Sequence, residues 1–154
     1  MKKLIFILAL VVIGLSGCRK EQSLSEVYNF TDNSWQRFNF LNFEFDIEKP
    51  DQAYDIVVAL RYNDEFPSKA LLVNLAMFLP SGEERVREYK LEIRDKEDNL
   101  LGEKKAGYHE RFIPIRKEMR FYEAGRLKFE IENLMTKYYT PGLVEFGIVL
   151  EPSE

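Results

Sequence analysis

Cysteine and histidine are almost missing from this chain: Cys18 and His109 are the only ones of their kind in 154 residues. A zinc or copper centre built from thiolate and imidazole needs several such side chains, so that chemistry is excluded on supply alone. No second cysteine exists to close an internal disulfide, and the core has to hold the fold by itself. Basic residues are in the minority, 22 Lys and Arg against 26 Asp and Glu, for a formal charge of −4. They are interleaved with acids, as in Glu83-Glu84-Arg85-Val86-Arg87-Glu88, which is the pattern of a solvated surface and not of a nucleic-acid footprint. Long apolar runs are absent too. Leu4 to Leu15 and Ala70 to Leu79 both fall short of the roughly 20 residues a spanning helix needs. Neither a nucleophile elbow, nor a Walker loop, nor a dinucleotide fingerprint occurs.

What is present begins at the N-terminus. Lys2 and Lys3 precede the apolar run Leu4 to Leu15, and Leu15-Ser16-Gly17-Cys18 follows it, which is the order of a bacterial lipoprotein export signal. Small residues at 16 and 17 let the backbone enter a peptidase cleft. The lone cysteine then stands where such a signal places its lipidated thiol, so Cys18 is the expected lipidation site. Stable membrane attachment takes about two acyl chains, each buried methylene contributing about 0.8 kcal/mol. Residues 19–26 are polar, without periodicity, and read as a tether. Fully extended, that tether spans at most about 26–29 Å, which keeps the folded body close to the bilayer. The expected organisation is a signal peptide over 1–17, the lipidated cysteine and tether over 18–26, and one domain over 27–152.

Within that domain the dominant period is two. Leu41, Phe43, Phe45 and Ile47 alternate with polar residues, predicting a strand with one wet face. Tyr54, Ile56, Val58, Leu60 and Tyr62 predict a second strand, and Val57 and Ala59 on its other side suggest a central one covered on both faces. Ala70 to Leu79 ends at the turn Pro80-Ser81-Gly82-Glu83. Tyr89, Leu91 and Ile93 continue the alternation; a helix also fits Val86, Tyr89 and Ile93, but the bracketing turns favour a strand. Glu118–Phe121 and Arg126–Leu134, joined by Tyr122-Glu123-Ala124-Gly125, predict a hairpin. Val144, Phe146, Ile148 and Leu150 close the series. About seven or eight such strands with almost no helical period predict an all-β fold, an antiparallel β-sandwich of jelly-roll type, with a closed barrel as the alternative.

Candidate sites are few. A Ser-His-Asp set could form only around His109, whose polar surroundings favour a surface or hydrogen-bonding histidine. Asp95, Glu97 and Asp98 form an oxygen-rich loop without EF-hand spacing, which favours a solvated turn over a calcium site. Two polar-aromatic segments stand out: one carries Tyr108, His109 and Arg111, the other Tyr138 and Tyr139. Exposed tyrosines beside basic residues suit protein interfaces and sugar stacking alike. Trp35 reads first as a plug at the core's edge and second as part of that same surface. No cofactor is expected.

The order of motifs resembles the gliding-motility lipoprotein family GldH. Leu60-Arg61-Tyr62-Asn63 with Phe66-Pro67 is similar to the family's Leu-Arg-Asn-Asn…Tyr-Pro signature, and Leu79-Pro80-Ser81-Gly82 to its Pro-Asp-Gly turn. Leu101-Gly102, Pro114, Phe121 and Gly125 follow in the expected order. Phe129-Glu130-Ile131-Glu132-Asn133-Leu134-Met135 and Pro141-Gly142-Leu143-Val144-Glu145-Phe146-Gly147 resemble the two closing motifs. The resemblance implies a lipid-anchored protein of the bacterial outer membrane that serves gliding motility and associated secretion through envelope protein partners, without enzymatic activity. From another class stands a carbohydrate-binding lipoprotein that stacks Trp35, Tyr108, Tyr138 and Tyr139 on a glycan. An acid-pair hydrolase, the third possibility, requires two carboxyls facing across a cleft.

Overall fold

Alternation of apolar and polar residues builds nearly all of the structure, a computed structural model that describes residues 22–153. Cys18 and the export signal lie outside the described residues. Eleven strands follow one another: β1 (Leu24–Asn29), β2 (Ser34–Gln36), β3 (Leu41–Ile47), β4 (Ala53–Tyr62), β5 (Ala70–Phe78), β6 (Glu84–Glu92), β7 (Glu103–Lys105), β8 (Tyr108–Arg120), β9 (Gly125–Asn133), β10 (Tyr139–Pro141) and β11 (Leu143–Pro152). They form a five-stranded sheet in the order β1-β11-β4-β8-β7, a four-stranded sheet β3-β9-β5-β6, and a small pair β10-β2. Setting aside the short β2, β7 and β10, the long strands alternate between the two sheets except at the β5–β6 hairpin, the pattern of a double Greek key jelly roll.

The core lies between the sheets. Leu41, Phe43, Phe45 and Ile47 of β3 are buried and their neighbours exposed, as a period of two demands. Facing them across the interlayer space, Phe146 stacks on Phe43 with ring centroids 6.0 Å apart. Strand β4 is central, paired with β11 on one side and β8 on the other. Its second face is covered only in part. Val57 is buried there without a further layer above it, shielded by Val149 and Pro114, which the register places on either side.

Three readings need correction. The turn Tyr122-Glu123-Ala124-Gly125 does not close a hairpin: β8 pairs with β4, whereas β9 pairs with β3 and β5. In this topology the chain crosses between sheets there, and a crossing turn has the same residues as a hairpin turn. The turn at Pro80-Ser81-Gly82 does join paired neighbours, β5 and β6. Second, Leu24–Glu26 is not tether but the first half of β1, in register with Leu150, Val149 and Ile148. Only Leu24 of that strand is even partly buried, which is why the alternation was invisible. The segment expected to be tether therefore overlaps the folded body from Leu24 onward. Third, residues 108–114 belong to β8 and not to a connecting segment.

Strand β1 gives the molecule two ends. Leu24 sits beside Leu150 and the start of β4, while Asn29 lies beside Glu145 toward the end of β4. Six residues of strand carry the chain about 20 Å along the sandwich. The end where the chain enters is called proximal below, and the opposite end distal.

Candidate interaction surface

The distal end is built on β2 and β10, whose register sets Trp35 against Thr140 and Gln36 against Tyr139. Successive strand residues point to opposite faces. Trp35 therefore turns inward, fully buried, with its ring 5.4 Å from Phe30 and 5.6 Å from Phe146. Its indole N–H donates to the Asn39 carbonyl at 2.8 Å. Trp35 is accordingly a plug and takes no part in an exposed surface. Beneath it, the buried Asn133 amide donates to Thr140 Oγ1 at 3.2 Å and to the Trp35 carbonyl at 3.4 Å, and accepts from the Met135 N–H at 2.9 Å. These bonds staple the end of β9 to the small sheet.

Tyr138 and Tyr139 face outward, 49% and 58% exposed, with their rings edge to face at 4.8 Å. They have company that the sequence reading missed. Phe38, 66% exposed, lies 6.4 Å from Tyr138, and the Arg37 guanidinium stands 5.5 Å over the Phe38 ring. Gln36 donates to the Tyr138 hydroxyl, and the Arg37 N–H to the Tyr138 carbonyl at 2.7 Å. Phe40 and Tyr28 are also exposed, and Asn39 reaches the Tyr28 hydroxyl at 3.3 Å. Phe38 and Phe40 share the parity of Asn42 and Glu44, the wet side of β3. Two phenylalanines on a water-facing parity were the available signal. A groove runs beside this cluster, lined by Tyr28 and Tyr139 with Asp32, Ser34, Gln36 and Asn39.

Tyr108, His109 and Arg111 do not join this cluster. They lie on β8, across β4 from it: Tyr62 pairs with Leu143 on one side and with His109 on the other. The His109 ring stacks on the buried Tyr62 ring at 6.1 Å, and burial pushes the Tyr62 phenol above its ordinary pKa. His109 Nδ1 is buried without a hydrogen-bond partner among the described residues. Arg111 donates to the Glu92 carbonyl, bridging the two sheets. On the outward face of the same strands, Arg61 donates to Glu110, and to Glu145 at 3.0 Å, while Lys105 sits 3.5 Å from Glu110. The Arg61 hydrogen bond holds the Glu110 carboxyl below the usual carboxylate range. In the oxygen-rich loop, Asp95 accepts from the Asn99 backbone at 2.8 Å and from its side chain. Its lone pairs thus serve the turn itself. Among the described residues, no three His, Cys, Asp or Glu side chains converge as a metal site.

Comparison with known proteins completes the description. The model of the GldH lipoprotein family matches residues 22–150. The gliding motility lipoprotein GldH of Flavobacterium johnsoniae is 24% identical over 126 residues, covering 82% of this chain and 77% of that protein. A gliding motility lipoprotein GldH homolog of Christiangramia forsetii is 21% identical over 157 residues, 97% of this chain and 96% of its own. Among solved structures, one of infectious bursal disease virus, Gt strain, aligns with a TM-score of 0.41 at 10% identity over 86% of this chain and 34% of the viral one.

Proposed function

Since the chain belongs to the GldH lipoprotein family, we propose that it is a non-catalytic accessory protein of the gliding-motility and associated secretion machinery. On this reading it is held to the outer membrane by acyl chains on Cys18 and engages envelope proteins through its distal end. The observation that carries the reading is the polarity of the domain. The chain enters at the proximal end, and the exposed rings of Phe38, Tyr138 and Tyr139 gather at the other. Aromatic side chains that are rigid, exposed and clustered are what protein interfaces select. Non-catalysis is supported by the carboxylate pair gathered on Arg61. Glu110 and Glu145 both engage Arg61, whose hydrogen bond holds the Glu110 carboxyl below the usual carboxylate range, so the pair is occupied instead of poised for proton transfer.

A photo-crosslinking residue installed at Tyr139 in the producing cell tests this. Crosslinks to motility or secretion components at position 139, and none from Glu88 on the opposite sheet, are the expected result. Equal labelling from both positions, or none from either, contradicts it.

A second reading is favoured by the groove between Tyr28 and Tyr139. Two tyrosine faces flanking hydroxyl, amide and carboxylate groups fit a short glycan. A glycan array probed with the protein and with Tyr139→Ala separates the two readings. Binding that depends on Tyr139 supports sugar recognition; an array without signal refutes it.

A further inference from the structure

The sandwich is not closed on all sides. Among the described residues, strand β6 pairs only with β5, and β8 beyond Glu110 pairs only with β4, because β7 reaches no further. Two free edges therefore face each other on one flank, and a narrow slot opens between the sheets there. Its floor is Ile56, Leu75, Met77, Ile115 and Phe129. The mouth is unlike the floor. The parity that buries Leu91 on β6 also turns Arg87 and Arg85 toward the interlayer space, opposite Leu75 and Met77 of β5. On β8, a register shift opposite Ile56 sets Arg116 against that residue and at the mouth of the slot.

These arginines differ in how they are neutralised. Arg85 holds Glu83 through two bonds, 2.7 and 3.0 Å. Arg87 lies over the Tyr89 ring at 5.8 Å. Among the described residues neither Arg87 nor Arg116 has an ion pair, and no acid lines the slot. Glu84, Glu88 and Glu92 occupy the opposite parity of β6. A net-acidic chain thus keeps two uncompensated guanidiniums above an apolar floor.

We propose that this slot binds a single-chain anionic amphiphile, a fatty-acid carboxylate, with its tail between the sheets and its headgroup on Arg87 and Arg116. Guanidinium groups match a carboxylate geometrically and offer donors only. The floor offers no hydrogen-bonding side chain, so a sugar with its many hydroxyls would be left unpaired there. An unbranched alkyl chain suits a narrow slot whose wall includes the adaptable thioether of Met77. This site is separate from the distal surface and does not depend on the function proposed for it.

The competing account is that the arginine stems merely cover the apolar edge of the core. The test uses the mature chain with Cys18→Ser, so that no acyl anchor competes, and carboxyl-¹³C dodecanoate below its micelle concentration. Expected is saturable one-to-one binding, followed by the carbonyl resonance, that is about tenfold or more weaker in Arg87→Gln/Arg116→Gln. Dodecanol should bind at least as weakly as that pair of substitutions implies, and Ile115→Trp should fill the slot and abolish binding. Absence of saturable binding overturns the proposal, as does affinity unchanged by the double substitution. Selective uptake of a short acidic peptide ending in an apolar residue, with none of dodecanoate, also overturns it and assigns the slot to a protein tail.

Discussion

Gly142 stands so close to the backbone of Phe66 that a β-carbon there would lie 2.2 Å from the Phe66 nitrogen. Its φ of +83° is one that residues with a side chain rarely adopt, and its carbonyl accepts the Asn63 N–H at 2.9 Å. Two segments far apart in the chain, Asn63 to Pro67 and Pro141-Gly142, are thereby one structural unit at the distal end. Gly142→Ala adds both backbone strain and a steric clash against main-chain atoms. The expected loss is about 2–4 kcal/mol, read as a lowered denaturation midpoint. Gly82, also at positive φ but with open space around it, should lose clearly less on the same substitution.

Trp35 and Tyr139 belong to neighbouring strands of one small sheet but do different work. Trp35→Ala opens a cavity in the core and should cost about 3–5 kcal/mol. Tyr138→Ser and Tyr139→Ser remove exposed rings and should stay within about 0.5 kcal/mol of the parent. Thermal unfolding of the three variants side by side checks this. A large loss from Tyr139→Ser would mean that its ring supports the fold, and the interaction surface would have to be redrawn.

Asp55 is held near the proximal end by the Ser153 hydroxyl at 2.6 Å and by the Glu118 N–H at 2.9 Å. The Ser153 bond first, then the Glu118 bond, keep its carboxyl below the ordinary aspartate range. A pKa lower in the folded state than in the unfolded chain adds stability above the unfolded value, and that addition is lost as pH falls through the folded one. Ser153→Ala should therefore lower stability at pH 7, and the gap from the parent should close in strong acid. Denaturant midpoints at pH 7 and at low pH, with the Asp55 carboxyl followed by NMR, decide it. A gap that persists in strong acid would exclude this linkage.

The strands were legible where burial is one-sided. Leu41 to Ile47 alternates cleanly because one face of β3 meets the core and the other meets water, and Ala53 to Tyr62 is dense in apolar residues because it is central. Edge strands left fainter traces: β1 is exposed along nearly all its length, and the inward positions of β8 include His109 and Arg111. What pairs with what was not written locally. Phe121 to Gly125 is a good turn whether the chain returns to the same sheet or crosses to the other. The site shows the same division. The exposure of Tyr138 and Tyr139 was legible, since two tyrosines beside a proline and a glycine announce a surface turn. Trp35 is the plug its first reading gave; the second reading, as part of the exposed surface, arose because Asp32-Asn33-Ser34 before it looks wet, whereas one residue of strand is enough to turn a side chain inward.

The direction of β1 also has a mechanical meaning. Its six ladder pairs with β11 lie along the line that joins the entry of the chain to the opposite tip. Tension between the lipid and anything gripping that tip would pull the first strand lengthwise past its neighbour. Its hydrogen bonds would then share the load together instead of opening one after another. A body anchored in this way resists extraction by shear, and pulling the same strand sideways should detach it at a much lower force.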